Sequence, residues 1–486
     1  MTAHATQTPT DSIPDYNRTV IVVILIAGAF VSVLNQTLML VAIPPIMQDF
    51  EANASLAQWV TTAFMLASGL LIPITAALMD KYSSRTLYLA ALVIFTLGTL
   101  LGAVAQTFTM LLIARIIQGA AAGIIMPMIQ TLMMIMFPIE KRGAAMGLVG
   151  LVVAFAPAIG PALSGWVVDQ FSWRYLFVLI LPIAALVILA ALLFMKNVTR
   201  QRASKIDSLS VIMSSFGWGG LLFGFSMAGS AGWGSASVLV SLLVGAMSLA
   251  AFIHRQQSLE QPLLDFKVFH SHTFTVTTFL SVLVFTLLIG TQTMIPLYVQ
   301  SVRGMSALDA GLILLPGAVM MGIVSPLAGR LFDRFGIQVL AISGFVLLSL
   351  AMFILATVPD SVHPAWIVAA SISQMLGATL LMMPLITAGI NSLPIPLIAH
   401  AAAMNNTLRM VGASIGTALL ITVLSGRAAL FSNPDAPAAI AAGIHLAFWF
   451  AFGLGLLGLA TTFWLRHHVL RERRQAQNTV NDATNA

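Results

Sequence analysis

Long apolar runs alternate along the chain with short polar stretches. Runs of eighteen or more residues, bounded by charge, Pro/Gly or polar clusters, recur about fourteen times, at approximately 20–46, 57–79, 86–106, 109–136, 143–167, 174–195, 208–229, 236–254, 273–299, 306–329, 337–358, 364–390, 399–425 and 441–465. An α-helix rising ~1.5 Å per residue needs about twenty such residues to cross ~30 Å of hydrocarbon. The pattern predicts an all-α polytopic membrane protein of about fourteen transmembrane helices with mostly short loops. No stretch is left for a folded soluble domain. The first run follows a polar tail and is too long for the apolar region of a cleaved signal, so it is expected to remain as a membrane helix.

Composition agrees with this reading. Of 486 residues, 59% are hydrophobic and only 8% charged, against ~25% charged in soluble domains. The absence of cysteine excludes disulfides, thiolate nucleophiles and Cys-ligated metals. A net charge of +6 would suggest nucleic acid in a soluble protein; here it reports topology, and no nucleic-acid partner is expected. Seventeen of the 22 Lys and Arg, from Arg18 and Lys81 through the Lys196–Lys205 loop to Arg474, fall on the side of the N-terminus. Only Arg174, Arg303 and Arg427 fall on the other. The positive-inside rule then places both termini in the cytoplasm of a multi-pass protein of the cell membrane. Its basic loops and tail would lie against anionic lipid headgroups.

The chain also repeats itself. Asp80-Lys81 closes the second run and Asp333-Arg334 the tenth, 253 residues later; Met126-Pro127 matches Met383-Pro384, and Ala144-Ala145-Met146 matches Ala402-Ala403-Met404. A near-constant offset implies two related halves of six helices with an extra pair inserted between them. The expected division is a tail (1–19), an N-terminal six-helix bundle (20–195), a basic loop with two extra helices and linker (196–272), a C-terminal six-helix bundle (273–465) and a basic, polar tail (466–486).

At these residues the chain resembles the major facilitator superfamily, and within it the fourteen-span drug:proton antiporters of the EmrB/QacA type. The superfamily loop motif is degenerate at Ala76–Arg85 and fuller at Gly329–Gly336; Arg115–Gly123 resembles the arginine motif of the fourth helix, and Ala156–Gly165 the antiporter motif of the fifth. The resemblance implies the major facilitator fold, a cytoplasmic gate at Asp80, Lys81, Arg85, Asp333 and Arg334, and proton-coupled export. One position departs from it. Asn35 stands where such exporters commonly carry an acid in the first helix, and an amide does not titrate near neutral pH.

The residues supply the remaining candidates. Small residues and prolines along the fifth run, including Gly147, Ala154, Pro157, Gly160, Pro161 and Gly165, make a smooth face suited to a seam between the halves. Every Asp and Glu falls at a helix end, loop or tail, leaving Arg115 and Arg409 as the charges inside the membrane. A buried Arg is costly in lipid and is expected to face a polar cavity. With Asn35, Gln36, Gln118, Gln292, Asn405 and Asn406, the two arginines are expected to line a substrate cavity. Asp309 and His445 are the remaining candidates for a protonation site. No catalytic set or metal site is discernible, and none of the five lysines completes a P-loop. The sequence therefore predicts a cofactor-independent, non-enzymatic, monomeric alternating-access exporter of small hydrophobic or amphiphilic compounds, driven by the proton gradient. A translocator of a lipid or cell-envelope precursor is the alternative, with an ion channel or a membrane-embedded enzyme behind it. The sequence names no accessory export protein.

Overall fold

The apolar runs fold into long helices whose polar loops gather at two opposite faces. The protein, seen in a computed structural model, is described over residues 17–52, 54–199, 201, 206–359, 362–433 and 436–485; side chains are left undescribed at 40, 54, 55, 158, 161, 162, 230, 231, 307 and 464–485. Arg200, Arg202 and Lys205, and the side chains of Pro161, Arg466, Arg471, Arg473 and Arg474, thus lie outside the described residues.

The helices are α1 (Arg18–Asp49), a short α2 (Ala54–Ala57), α3 (Trp59–Lys81), α4 (Ser84–Ala103), α5 (Phe108–Met136), α6 (Arg142–Gln170), α7 (Tyr175–Phe194), α8 (Ser208–Ala231), α9 (Ala236–Ser258), α10 (His272–Leu297), α11 (Ala307–Thr357), α12 (Ala365–Asn391), α13 (Ile398–Ala428) and α14 (Pro437–Asn485). Among the described residues, twelve helices are long and apolar enough to cross a membrane. One of them, α11, is 51 residues long and is interrupted at Gly336, where φ 73° and ψ 179° define a conformation open essentially to glycine alone. Counting its two arms separately and adding the 29-residue α6 gives the fourteen crossings that the apolar pattern predicts.

Caps and side-chain bonds set the helix ends and close contacts. Ser83, Thr107, Asp207, Ser235 and Ser271 each cap the helix that follows by accepting a backbone N–H. Proline inside a span removes one donor and frees the carbonyl four residues earlier. In α5, Pro127 frees the Gly123 carbonyl, and the Thr75 hydroxyl of α3 donates to it at 3.2 Å. Gly119 and Gly123 of α5 let the α3 backbone approach at Phe64 and Ser68. Small-residue contact of this kind holds helices together in lipid, where apolar side chains gain little by leaving the solvent.

Helices α1 and α3–α7 pack around one apolar core, which also takes in residues at the loop-side ends of α12 and α13, and α10–α14 pack around a second. The inserted α8 and α9 form a hairpin. Its α8 lies against both α3 and α13, through Trp218 and Leu222 with Val411 and Met410. Its α9 faces outward, with only 17% of its apolar window buried. The Asp207–Arg255 ion pair joins the hairpin's ends on one face at 2.7 Å, and Trp233 Nε1 donates to Thr422 of α13 at 2.7 Å near the other.

Candidate functional site

The buried polar groups gather where α1, α3, α4 and α5 meet. Arg115 on α5 is fully buried, and its guanidinium is met by neutral oxygens. Its Nε donates to the Val60 carbonyl of α3 at 3.0 Å, and its Nη1 donates to Asn35 Oδ1 at 2.6 Å and to Gln118 Oε1 at 2.7 Å. Gln118 passes the chain on, donating to Thr99 Oγ1 of α4 at 2.8 Å, which donates to the Phe95 carbonyl at 2.8 Å. The Phe64 ring lies 4.4 Å from the guanidinium carbon, close enough for cation–π attraction. The amide at position 35 thus solvates a cation. Gln36, one residue on, is half-buried.

In the second bundle, Arg409 on α13 is 6% exposed and stacks 4.3 Å from the Phe285 ring of α10, with no hydrogen-bond acceptor among the described residues. Asn405, one turn earlier, donates weakly to Thr278 at 3.4 Å and leaves its Oδ1 buried and unpartnered. Asn406 reaches across to the first bundle, donating to Gln130 of α5 at 2.6 Å. Gln292 is half-buried, its nearest polar contact the Met375 sulfur at 4.0 Å. A cavity of about 360 Å³ lies between α10 and α13 beyond this level, lined by Thr293, Leu297, Gln300, Ile421 and Leu424 among others.

The two loop-motif acids occupy related positions. Asp333 accepts from the Gly143 and Ala144 backbone N–H groups at 2.8 Å each, so a carboxylate of α11 sits on the N-terminus of α6, where the helix dipole favours negative charge. Beside it Arg142 donates to Asn391 of α12 at 2.9 Å. Asp80 of α3 meets His400 of α13 at 3.4 Å. Lys81 is exposed, Arg85 donates to the Leu192 carbonyl of α7 at 2.6 Å, and Arg334 is exposed over the Phe335 ring. His400 is the repeat partner of Arg142 at the same 258-residue offset as the matched alanines, a signal present in the sequence but carried by no motif.

The small-residue face of α6 divides in two. Gly143 and Gly147 lie against the α11 backbone near Gly329 and Ser325, Gly150 against Ser325, and Ala154 belongs to the second bundle's core. Phe155 packs on Gly322. Pro157 is exposed, Gly160 faces Thr37 of α1, and no heavy atom lies within 4 Å of where a Gly165 side chain would begin. Among the glycine contacts of α6, those with α11 thus lie in the half nearest the Asp333 loop. Among the described residues, every hydrogen bond or ion pair joining the two bundles lies on that side: Asp333 to α6, Arg142 to Asn391, Ser325 to Gly147, Asp80 to His400 and Asn406 to Gln130.

Neither titratable candidate lies with the arginines. Asp309 forms a capping box with Ser306 at the start of α11, and His445 on α14 hydrogen-bonds the Ala356 carbonyl at 3.2 Å and lies edge-on to Tyr298. A second ion pair overlooked in the sequence joins Arg174 to Asp49 at 2.7 Å on the opposite face, where Arg174 also donates to the Ala105 carbonyl.

Fold and polar interior define a membrane transporter. Residues 25–417 match the model of the Major Facilitator Superfamily, and the chain belongs to that family. It is 54% identical over 451 residues to the uncharacterized MFS-type transporter YcnB of Bacillus subtilis, covering 93% of this chain and 96% of that protein. It is 37% identical over 449 residues to the lincomycin resistance protein LmrB of Listeria monocytogenes, covering 91% and 95%. Among solved structures, the human organic anion transporter MFSD10 superposes with a TM-score of 0.68 at 14% identity, over 92% of this chain and all of that one. The expected fold and the kinship with drug exporters are borne out.

Proposed function

We propose that the protein exports hydrophobic or amphiphilic compounds, drugs and antibiotics among them, from the cytoplasm by alternating access powered by the proton gradient. The observation that carries the reading is the one-sided closure of the interface between the bundles. The glycine contacts of α6 with α11 run from Gly143 to Gly150 and continue through Phe155 on Gly322, and the interbundle bonds among the described residues cluster on the side of the loops carrying Asp80 and Asp333. With the basic face in the cytoplasm, this is the state closed to the cytoplasm and open outward. The segments 20–195 and 273–465 are the moving bodies, the Asp80 and Asp333 contacts are the inner gate, and the interior lined by Asn35, Arg115, Gln118, Asn405, Asn406 and Arg409 is the path. The printed name of the lincomycin resistance relative favours antibiotics among the substrates. The protein acts as a monomer in the cell membrane with both termini inside.

Transport in proteoliposomes under imposed pH and voltage gradients tests this. Uphill movement of amphiphilic drugs that collapses when the pH gradient is dissipated is the expected result. Scrambling of a labelled lipid without drug movement would replace the reading with lipid translocation.

A further inference from the structure

The two interior arginines differ in how their charge is met, and the difference points to a ligand. Arg115 donates through Nε and Nη1 to three neutral oxygens of its own bundle and stacks on Phe64, with only its buried Nη2 left without a partner. Arg409 stacks on Phe285 at nearly the same distance, 4.3 Å, but none of its guanidinium donors meets an oxygen of the described residues. A guanidinium carries five N–H donors, and those of Arg409 are not sealed off as Arg115 Nη2 is, so they remain accessible to a ligand. One turn away, the buried Asn405 Oδ1 is also without a partner. Polar capacity at this level of α13 therefore exceeds what the protein itself uses.

The direction of Arg409 follows from its neighbours. At about 100° per residue, take Asn405 as the origin. Gly412 and Gly416 then fall within about 20° of it, and both lie against α10 at Val282 and Thr286. Asn406, at about 100°, touches α5 of the other bundle through Gln130. Met410, at about 140°, is close to Gly69 of α3. Arg409 falls at about 40°, between the α10 contact and the α5 contact, so it is aimed at the space between the bundles. It retains 6% exposure there, against none for Arg115. The Asn406–Gln130 link, one turn nearer the basic face, forms a polar floor beneath it. Among the described residues, no Asp or Glu stands inside the spans to claim the charge.

We infer that Arg409 is the recognition site for an anionic group on the exported compound, and that the preferred substrates are carboxylate-bearing amphiphiles. The carboxylate takes the guanidinium in a two-pronged, charge-assisted contact, and Phe285 holds the guanidinium plane from behind. The apolar body of the substrate lies against the surrounding aliphatic walls. This rests on the export reading above and adds the charge of the cargo to it.

The test uses purified full-length protein and three probes sharing one apolar body, ending in a carboxylate, a carboxamide or a primary amine. Binding is read as thermal stabilisation in detergent, and transport as flux in proteoliposomes. In the wild type, the carboxylate probe is expected to bind and move about tenfold better than the carboxamide, the scale of one hydrogen-bonded charge contact, with the amine poorest. Arg409→Gln brings the carboxylate-to-carboxamide ratio to about one, and Arg409→Lys, which keeps the charge but loses the fork, retains an intermediate ratio. Preference for the amine in the wild type overturns the inference without recourse to any variant, as does a carboxylate preference that survives in Arg409→Gln. Carboxylate binding that depends on Arg409 without flux of any probe leaves the recognition site standing and sinks the export reading. Flux of all three at equal rates does the reverse.

Discussion

At the scale of single residues, the informative position is Asn35. Its carbonyl oxygen is one of three neutral oxygens around a fully buried guanidinium, at 2.6 Å. Asn35→Ala removes that acceptor and leaves a donor on a buried charge, so it is expected to destabilise the protein by about 1.5–3 kcal/mol, measured by thermal unfolding in detergent. Asn35→Asp keeps the acceptor, adds a charge opposite Arg115 and restores the stability lost in the alanine variant. It also places a titratable group within the first span, so its transport is expected to respond more steeply to an imposed pH gradient than that of the wild type. Loss of stability in the aspartate equal to that in the alanine would show that position 35 matters for shape alone. The sequence exposed Asn35, Arg115 and Gln118 as isolated polar residues in apolar spans, because lipid makes each one conspicuous. It could not pair them: Asn35 and Arg115 are 80 residues apart on helices whose rotation is set by glycine contacts elsewhere. The separation between an Arg115 held by three oxygens and an Arg409 held by no oxygen of the described residues is likewise a property of packing.

At the scale of helices, the spans were legible almost to their ends because ~20 apolar residues leave few alternatives, whereas the faces they turn to one another were only partly so. The fifth run reads as one continuous small-residue stripe, yet Gly143, Gly147 and Gly150 meet α11 while Gly160 meets Thr37 of α1. A stripe of small residues records that something comes close and does not record which helix does. The inserted hairpin shows the same limit. Its existence follows from the repeat offset, but its seat on α3 and α13 does not. The ends of that hairpin are tied by Asp207, whose carboxyl is held well below the usual carboxylate range, first by the hydrogen bond from Arg255 and then by that from Ser210. A depressed folded-state value contributes stability that is fully present above the ordinary carboxylate range of ~4 and is lost as pH falls through the folded value. Asp207→Asn is therefore expected to lower the melting temperature at pH 7, with the difference from wild type shrinking as the pH falls below about 4. A difference that stays constant across that window would mean that Arg255 and the cap at Ser210 do not act through the charge.

At the scale of the whole molecule, the duplicated loop motif gives two interbundle contacts of different chemistry, the two halves of the proposed gate. Asp333 grips the N-terminus of α6 through two backbone donors, while Asp80 faces His400, so Coulomb attraction contributes there only when the histidine is protonated. The repeat offset that made the two acids legible also points to Arg142 and His400 as their counterparts across the interface. The acids are legible and His400 is not, because a histidine beside an alanine-rich helix start carries no motif of its own. Asp333 is expected to be the stronger closure, since hydrogen bonds to a charged acceptor contribute about 1.5–3 kcal/mol each. Asp333→Asn keeps one acceptor oxygen and loses the charge, so it should weaken the closed state by about 1–2 kcal/mol, roughly a tenfold shift in population. The chain has no cysteine, which makes a cross-linking readout clean. Cysteines placed at Gln130 and Asn406, whose side chains touch across the bundles, should be joined efficiently by a short thiol cross-linker while the basic side is closed. Adding Asp333→Asn to that pair should slow cross-linking several-fold, and His400→Ala should slow it less. Equal cross-linking in all three proteins would mean that the bundles are held by the glycine contacts of α6 and α11 alone, and that the motif acids serve the helix ends on which they sit.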